Sequence, residues 1–213
     1  MLIILSCTKG AAVQNTVQLP ADRFIDPRDG HAYKTVRIGE QEWLAENFAY
    51  LPYICEPGEA DCGVWVYDYD GSSLTEAKKT PQYGMYGALY SWKAARELAP
   101  EGWHVPSDEE WKELERHIGI DANAIDDKTW RGENNEADRL KKEGDTGLEV
   151  VFGGWMTDYG KFNFAQQHAN FWCADEVDAG RGIERLLGLT NGRIGRDAGN
   201  KGCGFSVRYV RDR

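Results

Sequence analysis

The chain has 213 residues, with 41% hydrophobic, 28% charged and 12% aromatic content. That is a folding composition, because disordered chains are poor in aromatic and branched residues. A net charge of −10 repels phosphate backbones and argues against nucleic-acid binding. No apolar run approaches the roughly 20 residues that span a bilayer. Eight Trp and ten Tyr beside 24 Gly favour a turn-rich, aromatic-cored fold over a helical bundle.

Residues 1–7, Met1-Leu2-Ile3-Ile4-Leu5-Ser6-Cys7, read as the end of a bacterial lipoprotein signal. An apolar stretch leads to a small residue and then to a Cys that would carry the lipid. The stretch lacks a basic segment and is shorter than a full signal core of 7–15 residues, so the signal is expected to begin upstream. Residues 8–22 carry little charge and no periodicity, and are expected to tether the domain at 23–213 to the membrane through the lipid alone.

From Phe24 the pattern is β. Asp26-Pro27-Arg28-Asp29-Gly30 turns, His31–Ile38 alternates, Gly39-Glu40-Gln41 turns again and Glu42–Phe48 resumes, which predicts a three-stranded meander. Val64–Tyr69 is a further strand. Gly84–Leu98 has helical periodicity and stops before Pro100. Ser107 with Glu110 forms a capping box, and Trp111, Leu114 and Ile118 follow on one apolar face. Glu136–Lys142 is a short polar helix. From Leu148 the chain is Gly-punctuated and aromatic, with strands expected at Ile183–Leu189 and Phe205–Val210. Two main helices between a β-meander and a loop-rich β C-terminal part make an α+β domain, with no repeat and no second core.

Apart from Cys7 there are four cysteines, Cys55, Cys62, Cys173 and Cys203, which allow three pairings. Disulfides suit a protein held outside the cytoplasm. Cys55 and Cys62 enclose a Pro-Gly turn, which leaves Cys173 and Cys203 for a second bridge. A metal site would need compact ligand spacings, whereas His31, His104, His117 and His168 stand alone, so neither a metal nor a cofactor is expected.

Several stretches together resemble the Fibrobacter succinogenes major paralogous domain (FISUMP) family. They are FIDPRDGHAYKTVRIGEQEWLAENF (24–48), YGMYGALYSW (83–92), GWHVPSDEEW (102–111), Gly153-Gly154, Phe171-Trp172 and GFSVR (204–208). The resemblance implies a C-type lectin-like fold, shared with formylglycine-generating enzymes, in secreted or lipid-anchored proteins of Bacteroidetes-type bacteria. Relatives carry Cys where this chain has Ala99 and Tyr209. The joint loss implies a relocated bridge between Cys173 and Cys203. The paired active cysteines of the oxygen-dependent formylglycine-generating enzymes are not matched, which argues against their chemistry.

His104, between Trp103 and Pro106, has no companion nucleophile and reads as a structural hydrogen-bonder. Residues 181–213 hold eight basic and three acidic residues, a net charge of +5. This segment either complements an acidic body or presents cations to a ligand. In lectin-like relatives the stretch between Phe-Trp and Gly-Phe-Ser-Val-Arg faces the ligand, and Arg donates paired hydrogen bonds to carboxylate or sulfate. The expected ligand residues are therefore Trp172, Glu176, Arg181, Arg185, Asn191, Arg193 and Arg196. The reading is a non-enzymatic binding module, lipid-anchored to the bacterial outer membrane, for a glycan or an envelope protein. Its alternatives are an enzyme of formylglycine-generating-like fold with altered chemistry, or a structural envelope protein.

Overall fold

The computed structural model describes residues 22–59 and 62–213. Cys7 and residues 8–21, where the anchor and most of the tether are expected, lie outside the described residues. The domain is α+β and its sheets are antiparallel. Strands β1 (Arg23–Ile25), β2 (Ala32–Ile38) and β3 (Gln41–Leu44) form the expected meander. Then come β4 (Val64–Trp65), helices α1 (Leu74–Ala77) and α2 (Pro81–Tyr86), β5 (Leu89–Tyr90), α3 (Trp92–Glu97), β6 (Trp103–His104) and α4 (Asp108–Ile118). Strand β7 (Trp130–Arg131) and a 3₁₀ turn at Glu136–Leu140 precede β8 (Trp155–Met156) and β9 (Phe162–Asn163). The long strands β10 (His168–Glu176), β11 (Arg181–Gly188) and β12 (Asn191–Asn200) follow, and β13 (Val210–Arg211) closes the chain.

Two sheets organise the domain. The first has the order β1-β2-β3-β13-β6, so the two ends of the domain share one sheet; the second is β10-β11-β12-β7. Helix α4 forms as expected. Ser107 Oγ accepts from the Glu110 amide at 3.2 Å, the Glu110 carboxylate accepts from the Ser107 amide at 2.8 Å, and Gly119 ends the helix in the left-handed region.

The single helix expected over Gly84–Leu98 is divided into α2, β5 and α3. Pro81 opens α2 after the Thr80 cap, and Gly87 at φ 71° closes it. A Cβ on Gly87 would lie 2.6 Å from the Phe48 carbonyl. Leu89–Tyr90 then pairs with β4, and Ser91 caps α3. Tertiary pairing overrides the helical period here. The strand expected at Val64–Tyr69 is cut to two residues, because the chain turns at Asp68, φ 58°.

The core consists of two clusters, not one, and strand β10 feeds both. Successive side chains of a strand point to opposite faces. Trp172 joins Tyr33, Phe48, Tyr90, Phe205 and Cys203 on one side, and Phe171 and Cys173 join Trp43, Trp111, Leu114 and Ile118 on the other. This alternation corrects the expected second bridge. Cys173 and Cys203 are both free and buried, in clusters on opposite faces of β10. The Cys55–Cys62 disulfide is present, with Cα atoms 5.8 Å apart.

Candidate functional site

Two of the four cations assigned to a ligand, Arg185 and Arg196, turn inward. Arg185, on β11, is fully buried; its Nε donates to Glu115 at 2.6 Å, and its guanidinium lies 2.9 Å from the Asp108 carboxylate. Arg131 of β7 reaches the same Glu115 with two donors, at 2.5 and 3.0 Å. Arg196 closes on Asp108 through Nε and a terminal nitrogen, both at 2.7 Å. Burial alone would raise the Asp108 carboxyl, but Arg196, Arg185 and Lys112 hold it well below the usual carboxylate range. Arg185 and Arg196 therefore belong to a bridge between the C-terminal sheet and α4, and are corrected from ligand residues to structural ones.

Trp172 is likewise withdrawn. It is fully buried, its Nε1 donates to the Tyr90 carbonyl at 2.7 Å, and its ring packs 4.1 Å from Phe205. Arg181 is exposed but held by Asp178 at 2.7 Å, and Glu176 pairs with Lys201. Asn191 and Arg193 keep an outward position at the β11–β12 turn. Among the described residues no carboxylate lies within ion-pair reach of Arg193. The two thiols offer no nucleophile: burial pushes Cys173 up to about 12, against the pull of Arg185, and Cys203 up to about 11.

Two open regions stand out. The first is a cleft of ≈ 440 Å³ beside the disulfide, lined among others by Tyr53, Cys62, Lys93, Glu97, Asp158 and Lys201. Its cations are already engaged, Lys201 by Glu176 and Lys93 by Glu97 at 3.9 Å.

The second is the open end of the outer face of the C-terminal sheet. Trp130 on β7 pairs with Gly195 on β12, and a Cβ on Gly195 would lie 3.5 Å from the indole. The ring therefore lies against this position at ordinary contact distance. Trp130 borders two shallow depressions. One of ≈ 200 Å³ includes Thr129, Leu186, Gly195 and Asp197. The other, of ≈ 230 Å³, includes Gln167, His168, Thr190 and Asn191. Sequence reasoning missed Trp130, although a lone Trp in the polar run Lys128-Thr129-Trp130-Arg131-Gly132 has no apolar neighbours to bury it. It also missed Glu115, which lies four residues after Trp111 and so on the apolar stripe of α4.

The residues that carry the family resemblance converge away from both regions. Asn47 Nδ2 donates to the Tyr86 carbonyl at 3.1 Å and to Ser206 Oγ at 3.2 Å, and Asn47 Oδ1 accepts from Arg208 Nε at 2.9 Å. Arg208 is fully buried and also donates to the Leu148 and Glu149 carbonyls. Burial without a carboxylate partner pulls it down to about 9. The sequence profile of the Fibrobacter succinogenes major domain matches residues 36–211. The chain belongs to that family. No curated protein and no solved structure matches it. The family's characteristic stretches thus meet in a buried polar knot that joins the N-terminal meander, α2 and the C-terminus. The knot itself is buried, and a depression of ≈ 190 Å³ opens beside it, lined by Glu46, Tyr83, Met85 and Glu149 among others.

Proposed function

We propose that this member of the Fibrobacter succinogenes major domain family is an extracytoplasmic binding module. It has a C-type lectin-like fold, is anchored to the bacterial outer membrane through a lipid on Cys7, and recognises a glycan or an envelope protein. The observation that carries the reading is the open end of the C-terminal sheet. Trp130 is partly exposed there between two polar depressions, one of which includes Asn191, while both free thiols are buried, unactivated and outside the depressions. The Cys55–Cys62 disulfide supports an oxidising compartment. The α+β architecture, with first and last strands in one sheet, supports the lectin-like assignment.

Two experiments test the reading. Expression in a bacterium with a metabolic palmitate label should place the chain in the membrane fraction, and Cys7→Ala should abolish both label and membrane retention. A glycan array together with a cross-linked envelope pull-down should give a ligand whose capture falls when Trp130 is replaced. A soluble, unlabelled wild-type chain would remove the anchor. Capture of nothing from either source would remove the binding function.

A further inference from the structure

We infer that the Trp130 face takes an extended, uncharged oligosaccharide, laid across the indole with neighbouring sugar rings in the two depressions. This assignment rests on the reading of the chain as a binding module, and names the ligand of its open face. A single exposed apolar side chain is ordinary, so exposure alone says little. What sets Trp130 apart is its setting. Of the eight Trp, it alone is among the exposed large hydrophobic residues, at 37%. Gly195 supports one edge of its ring and the strand beneath carries no side chain there. The two depressions lie one after the other along β11 and β12, the first over Gly195–Asp197 and the second over the turn at Gly188–Asn191. Five or six residues of strand cover roughly 17–20 Å, which is longer than one sugar ring. Each depression is smaller than the roughly 300–1,000 Å³ of a pocket that engulfs a small molecule. A chain lying along the surface fits this shape, and a single compact ligand does not.

The far rim adds a second aromatic group. His168 borders the second depression and stacks with Phe164, ring centroids 5.0 Å apart. Phe164 is 48% exposed and sits at φ 56°, with Gln166 at φ 65°. A bulky residue in the left-handed region is an outlier that its surroundings must enforce. The bend sets Gln167 and His168 on the rim facing the β11–β12 turn. Apolar ring faces flanked by amides and hydroxyls suit the C–H faces and hydroxyl edges of a pyranose.

Charge disfavours the competing ligands. The second depression holds no permanently charged side chain, and the first holds one cation without an ion-pair partner among the described residues, Lys128, and one acid, Asp197, beside Arg196, which is bound to Asp108. Arg193 borders neither. An acidic glycan meets Asp197 beside Lys128 in the first depression and no cation in the second, and a nucleic-acid strand finds no cationic funnel on a chain of net charge −10. A stable protein partner would want a contiguous apolar core, whereas here Trp130 and Leu189 share their depression with Gln167, His168, Thr190 and Asn191.

The test is calorimetric titration of the intact chain with neutral hexasaccharides of glucose, xylose and mannose, with polygalacturonate as the acidic probe. At least one neutral chain should bind and protect tryptophan fluorescence from acrylamide. Trp130→Ala should weaken it about tenfold or more, the loss of one good stacking contact. Trp130→Phe should restore most of the affinity, and an unchanged melting temperature would show that both variants fold. Neutral binding indifferent to Trp130→Ala overturns the inference, as does binding of polygalacturonate alone with dependence on Arg193. Either leaves the binding-module reading intact, as does a defined envelope protein captured without any saccharide binding, which also overturns the inference. An absence of every ligand overturns both.

Discussion

On the inner face of the C-terminal sheet, Arg131 and Arg185 reach across to α4 and close on Glu115, out of contact with water. On the outer face of the same sheet, one register step away, Trp130 lies against Gly195 with its ring partly exposed. A charged residue is thus buried and an aromatic one exposed, the reverse of the usual placement. The difference shows that residue type alone does not assign a face. Strand parity does: Arg131 pairs with Ile194 toward the core, and its neighbour Trp130 must then point away. The excess of cations in the C-terminal segment is the counterpart of acids on α4 and elsewhere in the body, so it reports on how the halves are held together.

The inner face should be the harder to disturb. Glu115→Leu would leave two guanidinium groups buried without their shared carboxylate, a loss of roughly 3–5 kcal/mol. Urea unfolding would measure it, and a loss below about 1 kcal/mol would mean that the bridge to α4 is dispensable. The outer face offers a milder test where it becomes covered. Glu184 is directed to the same side as Leu186 but is 7% exposed, and its carboxylate accepts from Asn170 Nδ2 at 2.8 Å. Burial lifts it to about 7, offset by that hydrogen bond and reinforced by Asp197. The folded carboxyl then keeps its proton while the unfolded one, near 4.5, has lost it. Stability should fall between pH 4.5 and 7, by roughly 3 kcal/mol in all. Glu184→Gln should flatten that slope and be the more stable protein at pH 8, and equal slopes would refute the assignment.

The thiols separate the two faces without any change in stability. Cys173 lies on the inner side beside Arg185 Nη1, at 3.4 Å, and Cys203 lies with Trp172 on the other. Neither should react with a thiol reagent in the folded domain. Two should react per domain after unfolding without reductant, in addition to any unmodified Cys7. No reactive thiol from the domain on unfolding would restore the bridge that alternation forbids.

Much of this was legible along the chain, and the failures have physical causes. The capping box, the apolar stripe of α4 and the meander depend on residues close in sequence, and all three form where expected. The split of Gly84–Leu98 depended on a close approach of Phe48 to Gly87, which no local period encodes. Glu115 stood on the apolar stripe and so announced a buried acid. Its partners, 16 and 70 residues away, depend on how β7 and β11 pack on the helix. Arg185 and Arg196 were sorted by charge when strand parity and the position of α4 decided their orientation. Trp130 could have been found from its polar neighbours, but the depressions beside it are made of segments that only the fold assembles.

His104 lies between the two extremes and gives the smallest effect. It sits on β6, half-exposed, with Nε2 2.9 Å from Glu110 and Nδ1 2.6 Å from Asp212. With a carboxylate at each ring nitrogen, both must donate, which only the imidazolium can do. The hydrogen bond to Glu110 is the main reason that His104 is raised above the usual histidine range; burial opposes it and Asp212 reinforces it. The same pairing, against the opposing effect of burial, takes Glu110 down to about 2. A raised histidine contributes its full stability below the unfolded value near 6.5 and loses it as pH climbs through the folded value. This window starts where that of Glu184 ends, so the clean measurement uses Glu184→Gln as the parent. Unfolding at pH 6 and pH 9 should then differ by roughly 0.2–1 kcal/mol, shrinking with added salt because the pair is open to solvent. His104→Gln should remove the difference. If it survives that substitution, the C-terminus is held by something other than this clamp.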